Sequence, residues 1–364
     1  MPKVYIAKCS DYDYDRVEDA VLKGIEALGG LNKLLKGKHT VAVKPNLLKM
    51  HKPEDCVTTH PLVVESVLKA IVGSGRKATI VESPSGPYSI RNLQPIYHAT
   101  GMVDAVNSAG AALNDNFDVE QVFLEHGRAV KNMRIAKAVL NADSVITAAK
   151  LKTHTMMTYT GAVKNLFGVV PGLSKAECHF RLPDKEDFAR MIVDIAEFVR
   201  PDISVIDAVW AMEGDGPSAG DKRHIGAIII SDSPYAADFV AGRIIGLDWR
   251  DNPVIKCAVE RGLVCEDSID IIGDSIEDLI VADFVMPKNY RANLLKNRVP
   301  KFMEKAIIKR LVLYPKFNTS KCIGCGICAK SCPNGAIILK KNRPVFDRRR
   351  CINCFCCHEL CPKK

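Results

Sequence analysis

The chain has 364 residues, with 51 Lys and Arg, 42 Asp and Glu, 47% hydrophobic residues and 14 cysteines. These fractions are typical of globular proteins and exclude a disordered or fibrous chain, and the length predicts two or three domains. No apolar run approaches the roughly 18–20 residues that span a bilayer, and the start lacks the apolar core of a signal peptide. We therefore expect a cytoplasmic protein that is not integral to a membrane.

The first 287 residues alternate β-branched runs with amphipathic stretches. A helix is predicted over 61–72, where Pro61 takes a first-turn position, and another within 187–202, where apolar residues recur every 3.6 residues until Pro201. Such alternation predicts an α/β domain with a largely parallel sheet flanked by helices, and it leaves the strand order open. Strands are predicted at 40–46, 78–84, 144–154, 203–210 and 226–231.

Four of these strands end in charged or amide side chains. In open α/β sheets, ligands bind outside the carboxyl ends of the strands, so side chains from distant parts of the sequence could meet there in one crevice. The alternative is that these residues are polar only because loops are in contact with water. The strand-end residues are Lys44 and Asn46, Glu82, Lys150, Lys152 and His154, and Asp207, with Glu213 and Asp215 just beyond.

The segment 160–172, TGAVKNLFGVVPG, follows His154 and is rich in glycine. Lys164 and Asn165 could hold an anionic oxygen, and the glycines allow close backbone approach. The segment matches neither phosphate-binding glycine pattern, so nucleotide binding is not inferred. His179 could act as a ligand or proton donor or be a structural histidine. Glu213 and Asp215 could bind a divalent ion or transfer protons, or belong to a glycine turn.

The end of the chain differs from the rest in charge and in cysteine content. Residues 288–364 contain 19 Lys and Arg against 3 Asp and Glu, whereas residues 1–287 contain 32 against 39. Nine of the 14 cysteines lie in the last 43 residues. The five others have no metal-binding spacing and are predicted to be small buried hydrophobic residues: Cys9, Cys56, Cys178, Cys257 and Cys265.

Two runs near the end share the spacing C-x2-C-x2-C-x3-C-P, which is the pattern of bacterial two-cluster ferredoxins. Because the fourth cysteine of each run ligates the other cluster, the spacing predicts two [4Fe-4S] clusters with exchanged ligands. Two zinc sites are the alternative. Cys356 is out of register and is interpreted as a spare or buried thiol. One predicted ligand set is Cys322, Cys325, Cys328 and Cys361, and the other is Cys332, Cys351, Cys354 and Cys357.

These runs define a small α+β two-cluster ferredoxin-like domain at 319–364, with a hairpin predicted after Cys332. A basic connector is predicted at 288–318, and its amphipathic stretch could dock on the larger domain or lie on an anionic membrane. The basic surroundings would attract an acidic electron-donor protein. Nothing resembles a base-reading motif, so nucleic acid is not the expected partner.

Several motifs together resemble the domain-of-unknown-function family numbered 362. They are VKPNLL (43–48), TTHPLVVESVLKAIV (58–72), KLKTH (150–154), TGAVKNLFGVVPG (160–172), the later His179 and MEGDGP (212–217). Members of this family often carry a ferredoxin-like tail, including a sequence motif such as CINCFCCHELCP at 351–362. The resemblance implies an α/β domain and an iron–sulfur protein of redox type, and it implies no particular substrate.

These observations favour an iron–sulfur oxidoreductase whose tail passes single electrons to a small-molecule substrate or to a second cofactor in the α/β domain. Lys152, His154, Lys164 and Asn165 would bind an anionic or carbonyl-bearing ligand, and His179 or Glu213 would supply a proton. Lys44, Asn46 and Asp215 would hold an additional ligand or divalent metal. Two alternatives stay open: a non-enzymatic electron carrier or redox-sensing adaptor, and an acid–base or metal enzyme whose clusters are structural.

Overall fold

The structure is a computed structural model that describes residues 1–84, 86–287, 314–352, 354–359 and 361–363. Most of the predicted connector at 288–318, including nearly all of its amphipathic basic stretch, lies outside these residues.

A mixed sheet of nine strands forms the centre of the described fold. Its order is β11-β1-β10-β9-β7-β2-β3-β4, with β8 added alongside β7. The segment β9-β7-β2-β3-β4 is parallel, whereas β10 pairs antiparallel with both β9 and β1. The strands are β1 (Lys3–Lys8), β2 (Thr40–Pro45), β3 (Lys77–Ile80), β4 (Ala112–Leu113), β7 (Ser144–His154), β8 (Thr158–Thr160), β9 (Ile203–Glu213), β10 (Asp221–Ser231) and β11 (Asp270–Gly273); β5 (Val119–Phe123) and β6 (Asn132–Ala136) form a separate hairpin.

Helices cover both faces of this sheet, and each face has its own hydrophobic core. One core packs α1, α3, α4 and α5 against the sheet, and the other packs α7 to α11. This confirms the predicted α/β class with a mostly parallel, helix-flanked sheet. The helices are α1 (Tyr14–Ala27), α2 (Leu31–Leu34), α3 (Pro61–Gly73), α4 (Ile90–Ala99), α5 (Met102–Ala109), α6 (Lys137–Leu140), α7 (Ala162–Asn165), α8 (Gly172–Arg181), α9 (Lys185–Val199), α10 (Pro234–Ile244) and α11 (Pro253–Glu260).

Local sequence explains where the two predicted helices begin and end. In α3, Nδ1 of His60 accepts from the Leu62 amide at 3.3 Å, and Pro61 fills the first turn, where no amide donor is needed. In α9, the Asp184 carboxylate caps the first turn, and the left-handed Arg200 ends the helix immediately before Pro201.

The tail contains two short helices, α12 (Ile327–Lys330) and α13 (Cys356–Glu359), and a hairpin of β12 (Ile337–Lys340) and β13 (Arg343–Phe346). The hairpin stands where it was predicted. Its two turn residues, Lys341 and Asn342, both have positive φ, as a two-residue hairpin turn requires.

The prediction for the scattered cysteines holds for four of the five. Cys9, Cys56, Cys178 and Cys257 are buried, but Cys265 is exposed, and the prediction for it was wrong. Cys265 lies in the loop after α11, directly before a short helical turn.

None of the helices within the described ranges is both long enough and apolar enough to cross a lipid bilayer.

Candidate functional site

The carboxyl ends of β2, β3, β7 and β9 lie side by side at one edge of the sheet, which we call the carboxyl edge. Pro45 at the end of β2 pairs with Ala148 of β7, and Ile80 at the end of β3 pairs with Val43 of β2. β7 continues past them to His154. Lys150 on β7 is the direct register partner of Asp207 on β9. Charges that are far apart in the sequence therefore meet in the folded chain.

The first group at this edge is an ion pair between Lys44 and Glu82. The Lys44 ammonium donates to Glu82 Oε2 at 2.7 Å and to the Pro45 carbonyl at 2.6 Å. Both side chains are almost fully buried, with exposed fractions of 1% and 4%. Burial lowers the pKa of Lys44, and the Glu82 carboxylate opposes that change. Glu82 also accepts from the Leu47 amide at 3.1 Å, which ties the loop after β2 to the pair.

The glycine-rich segment after β8 closes over this ion pair. Asn165, at the end of α7, donates to the Lys44 carbonyl and to Thr147 Oγ1, each at 2.9 Å. A Cβ on Gly168 would collide with the Lys44 side chain and would lie 2.8 Å from Glu82 Oε1. Only glycine therefore fits between this turn and the buried pair.

The second group joins Lys150, Asp207 and Tyr12. Lys150 donates to Asp207 Oδ2 at 3.0 Å and to the Tyr12 hydroxyl at 2.7 Å, and that hydroxyl donates to Asp207 Oδ1 at 2.8 Å. The rings of Tyr12 and His60 stack, with centroids 3.6 Å apart. Burial, opposed in part by the Asp207 carboxylate, lowers the pKa of His60 to about 4, so its imidazole is neutral near pH 7.

Lys152 and His154 lie at the end of β7, and both are buried. The Lys152 ammonium donates to Asn46 Oδ1 at 2.9 Å and to the Val57 carbonyl at 2.5 Å. Nδ1 of His154 accepts from the amides of residues 156 and 157. A neutral imidazole that accepts at Nδ1 carries its proton on Nε2, so this ring can act as a donor.

Four other predicted residues lie in different surroundings. Lys164 is half-buried in α7, beside Asn165. His179 is buried on α8, where its ring stacks on Phe188 at 4.3 Å. Glu213 accepts from the Val285 amide at 3.0 Å, and Asp215 is half-buried in the turn after β9. Over the described parts of the chain, no three His, Cys, Asp or Glu side chains form a group that could hold a single metal ion.

The thiols of the eight predicted cluster ligands lie near one another in the folded tail. Burial raises the pKa of Cys328, and the thiols of Cys325, Cys361 and Cys322 contribute in the same direction. Burial also raises the pKa of Cys357, with further contributions from Cys354, Cys351, Cys332 and Cys328. Cys332, Cys351, Cys354 and Cys357 line one small cavity of about 20 Å³. Cys332 of the first run thus lies with three cysteines of the second run, and Cys361 of the second run lies near Cys328 of the first.

The sequence of residues 41–243 matches the family described as Domain of unknown function (DUF362), and residues 315–338 match the 4Fe-4S binding domain. The chain belongs to the DUF362 family. It is 34% identical over 247 residues to a thylakoid-associated protein of Synechocystis sp., an alignment that covers 66% of this chain and 73% of that protein. The match at 315–338 supports at least one four-iron cluster in this DUF362 protein and an iron–sulfur electron-transfer role.

Two solved structures also resemble this DUF362 chain, which spans 56% of the length of each. One is the lactate racemase apoprotein from Thermoanaerobacterium thermosaccharolyticum, with 15% identity, a TM-score of 0.41 and 65% of this chain covered. The other is a protein from Thermotoga maritima, with 11% identity, a TM-score of 0.37 and 61% of this chain covered.

Sequence reasoning missed three residues that build this edge of the DUF362 domain. Tyr12 and His60 complete the group around Asp207. His60 lies in the motif TTHPLVVESVLKAIV (58–72), which was not interpreted as part of a site, whereas no motif includes Tyr12. Asp238, at α10, accepts from the amides of Ala162 and Val163 at the start of α7. Burial raises the pKa of Asp238 to about 7, whereas the two amide bonds act to lower it. The one local signal in the sequence is Gly161 itself, because a Cβ at that position would lie 2.2 Å from Asp238 Oδ1.

Proposed function

We propose that this protein is an iron–sulfur oxidoreductase in which two [4Fe-4S] clusters, held by the tail, pass single electrons to a small molecule bound at the carboxyl edge. When bound, such clusters take up and release one electron each without large rearrangement. The thiolate donors fit this group, because four cysteines line one cavity and the other four are electrostatically linked around Cys328.

One contact between the tail (residues 319–364) and the body (the α/β domain, residues 1–287) carries this proposal. The ammonium of Lys49, in the loop after β2, donates to the carbonyl oxygen of Cys361 at 2.7 Å. Cys361 is the proposed fourth ligand of the first run's cluster. The same loop begins with Asn46, which accepts from Lys152, so the contact supports placing that cluster next to the candidate site.

The buried residues of the edge would orient the ligand and polarise the site. The ammonium groups of Lys44, Lys150 and Lys152 already donate to protein oxygens. Their proposed role is therefore to supply fixed positive charge to the site rather than direct hydrogen bonds to the ligand. His154 would donate from Nε2 to an anionic or carbonyl oxygen, and half-buried Lys164 would contact the same ligand. This cationic lining favours a carboxylate-bearing or carbonyl-bearing compound as the substrate or additional cofactor.

The other proposed roles have weaker structural support. His179 and Glu213 remain candidate proton donors, although the stacking of His179 on Phe188 favours a packing role. Asn165 and Asn46 hold the loops around Lys44 and Lys152, and this suits positioning better than proton transfer. Asp215 remains a candidate contact for the additional ligand.

An acidic electron-donor protein is the proposed partner of the tail. On the outer face of the hairpin, Ile338 pairs with Val345, and Lys340 pairs with Arg343. The two apolar side chains are about half exposed, at 50% and 42%. An apolar centre beside basic residues is complementary to an acidic surface that surrounds an apolar patch. We propose the reducing cytoplasm as the compartment, because it keeps cluster-binding thiols reduced.

A non-enzymatic electron carrier is the second candidate function. It is favoured by the hydrogen bonds that already occupy the buried ammonium groups, since a partner protein needs no open pocket. The two functions differ in whether a small molecule is retained at the carboxyl edge.

Anaerobic purification of the full chain tests the proposal. We expect brown protein with about eight iron atoms and eight acid-labile sulfides per chain. A Cys361→Ala variant should retain about half of that iron, and a Cys356→Ala control should retain all of it. Colourless protein with two zinc ions would overturn the cluster assignment.

Mass spectrometry of small molecules released from the same protein separates the enzyme from the carrier. We expect a retained carboxylate or carbonyl compound that is lost in Lys164→Met, with the iron content unchanged. An exposed surface variant, Lys36→Met, should keep the compound. Intact clusters with no retained compound, and no turnover of carbonyl or carboxylate compounds with reduced protein, would leave the carrier function.

A further inference from the structure

Two cations from different parts of the chain donate to the backbone of the same predicted ligand set. Lys49 reaches the Cys361 carbonyl at 2.7 Å, across 312 positions of sequence. Arg343, at the start of β13, reaches the Cys322 carbonyl at 2.6 Å and also bonds to the Thr319 carbonyl. The thiols of Cys322 and Cys361 both lie near enough to Cys328 to raise its pKa. Lys49 and Arg343 therefore contact residues of one predicted ligand set.

The second thiol group has a different neighbourhood. There the guanidinium of Arg350 reaches the Gly335 carbonyl at 3.4 Å, and Gly335 is three residues beyond the ligand Cys332. That bond is longer than the two at the first group, and its acceptor is not a ligand residue. Arg350 also directly precedes the ligand Cys351, so positive charge lies near both predicted ligand sets. Lys49 differs from Arg343 and Arg350 in coming from outside the tail.

We propose that Lys49 is a positioning residue that ties the tail to the α/β domain and raises the reduction potential of the cluster held by Cys322, Cys325, Cys328 and Cys361. This inference rests on the proposed two-cluster function. Reduction adds one electron and one negative charge to the cluster, and a nearby ammonium stabilises that charge. Arg343 acts in the same direction from inside the tail.

The inferred difference in potential gives the electron path a direction. With both clusters bound, electrons from the donor protein would enter at the position held by Cys332, Cys351, Cys354 and Cys357. They would leave from the position held by Cys322, Cys325, Cys328 and Cys361, whose potential Lys49 would raise and which Lys49 ties to the loop after β2. Lys49 thus holds the exit cluster in place and favours its reduction.

Potentiometric titration of the full-length protein, followed by electron paramagnetic resonance, tests this role. In Lys49→Met, the reduction equilibrium constant of one cluster should fall about three- to tenfold, a tenfold change being 59 mV for one electron. The other cluster should keep its potential, and the iron content should not change. Lys49→Arg keeps the positive charge and should keep most of the parent potential. Lys36→Met, at an exposed lysine of the α/β domain, should cause no shift.

A second background identifies the cluster that responds. In Cys361→Ala, which should lack the exit cluster, adding Lys49→Met should leave the remaining potential unchanged. Two intact clusters with unchanged potentials in Lys49→Met, or with equal shifts in both, would overturn the inference and leave the proposed function standing. Protein without iron–sulfur clusters would instead remove the proposed function itself.

Discussion

The ion pair between Lys44 and Glu82 joins the ends of β2 and β3, and both side chains are almost fully buried. Each partner compensates the cost of removing the other from water, so the loss of one partner leaves an uncompensated buried charge. The sequence placed both residues at strand ends but could not show that they face each other. Their meeting depends on β2 and β3 being neighbours, and strand order is set by the packing of the whole chain.

Replacement of Lys44 alone should therefore be costly. We expect Lys44→Met to lower the free energy of unfolding by about 3–5 kcal/mol. The double variant Lys44→Met with Glu82→Gln should lose less than the sum of the two single losses, because no charge is then left buried. Urea denaturation of anaerobically purified protein measures the free energy of unfolding of the parent, the two single variants and the double variant.

The exposed pair of Lys23 and Asp19 on α1 provides the control. Its side chains are 63% and 58% exposed, so Lys23→Met should change the free energy of unfolding by less than about 1 kcal/mol. Equal losses for Lys44→Met and Lys23→Met would contradict the assignment of Lys44 to a buried, charge-compensated site.

Asp238 gives the fold a pH dependence between about pH 4 and pH 7. Burial raises its pKa to about 7, so in this range the folded chain binds a proton that the unfolded chain releases. Its contribution to stability is complete below pH 4 and is lost as the pH rises through 7. The contribution amounts to about 4 kcal/mol at most, since each pKa unit corresponds to about 1.4 kcal/mol.

We expect Asp238→Asn to remove this dependence, because the amide does not titrate. The difference in free energy of unfolding between the parent and Asp238→Asn should change steadily from pH 5 to pH 8, with the parent relatively more stable at pH 5. Taking the difference cancels other titrating groups and any acid lability of the clusters. A difference that is constant with pH would show that Asp238 titrates normally.

At the scale of elements, the sequence predicted the central strands and two long helices well. Runs such as 144–154 and 203–210 are apolar and β-branched because both faces of those strands are buried, and this pattern is local. The strand β1, which pairs with β10 and β11, and the short edge strands β4 and β11 were not predicted. Tyr12 was missed for that reason, since its place beside Asp207 depends on where β1 ends.

Gly168 tests the packing of one element against another. In Gly168→Ala, the added methyl group would overlap Lys44 and press on Glu82, both of which are fixed by hydrogen bonds. We expect a loss of about 1–3 kcal/mol in the free energy of unfolding, as for other overpacked cores.

Gly73, in the last turn of α3, is the matched control. A Cβ there meets nothing within 4 Å, so Gly73→Ala should leave stability unchanged or raise it by up to about 1 kcal/mol. Thermal unfolding of the two variants, measured side by side, checks the prediction. A Gly168→Ala protein as stable as the parent would mean that the turn does not close over the ion pair.

At the scale of the molecule, the sequence divided the chain by charge and by cysteine spacing but could not place the tail against the body. The contact of Lys49 with Cys361 joins residues 312 positions apart, and no local pattern encodes such a pairing. The same limit explains His179. Its spacing on α8 is equally compatible with facing the carboxyl edge or the core, and its contacts with Phe167 and Phe188 are tertiary.

The charge division has a kinetic consequence that belongs to the whole molecule. A basic tail attached to a mildly acidic body should orient an acidic donor toward the clusters and away from the body, because long-range attraction raises the association rate only at the surface of opposite charge. Stopped-flow reduction of the protein by an excess of a reduced acidic ferredoxin measures that rate. It should fall steeply between 0.05 M and about 0.5 M salt, as screening shortens the range of the attraction.

Charge reversal at one exposed lysine should locate the docking face. Lys340→Glu changes the outer face of the hairpin, so we expect a several-fold lower association rate and a weaker salt dependence, with cluster content unchanged. Lys36→Glu makes the same change in net charge on the exposed surface of the body. If the two variants slow reduction equally, the donor responds to total charge only and the hairpin is not its docking face. A larger effect of Lys340→Glu means that the donor approaches the tail at the hairpin.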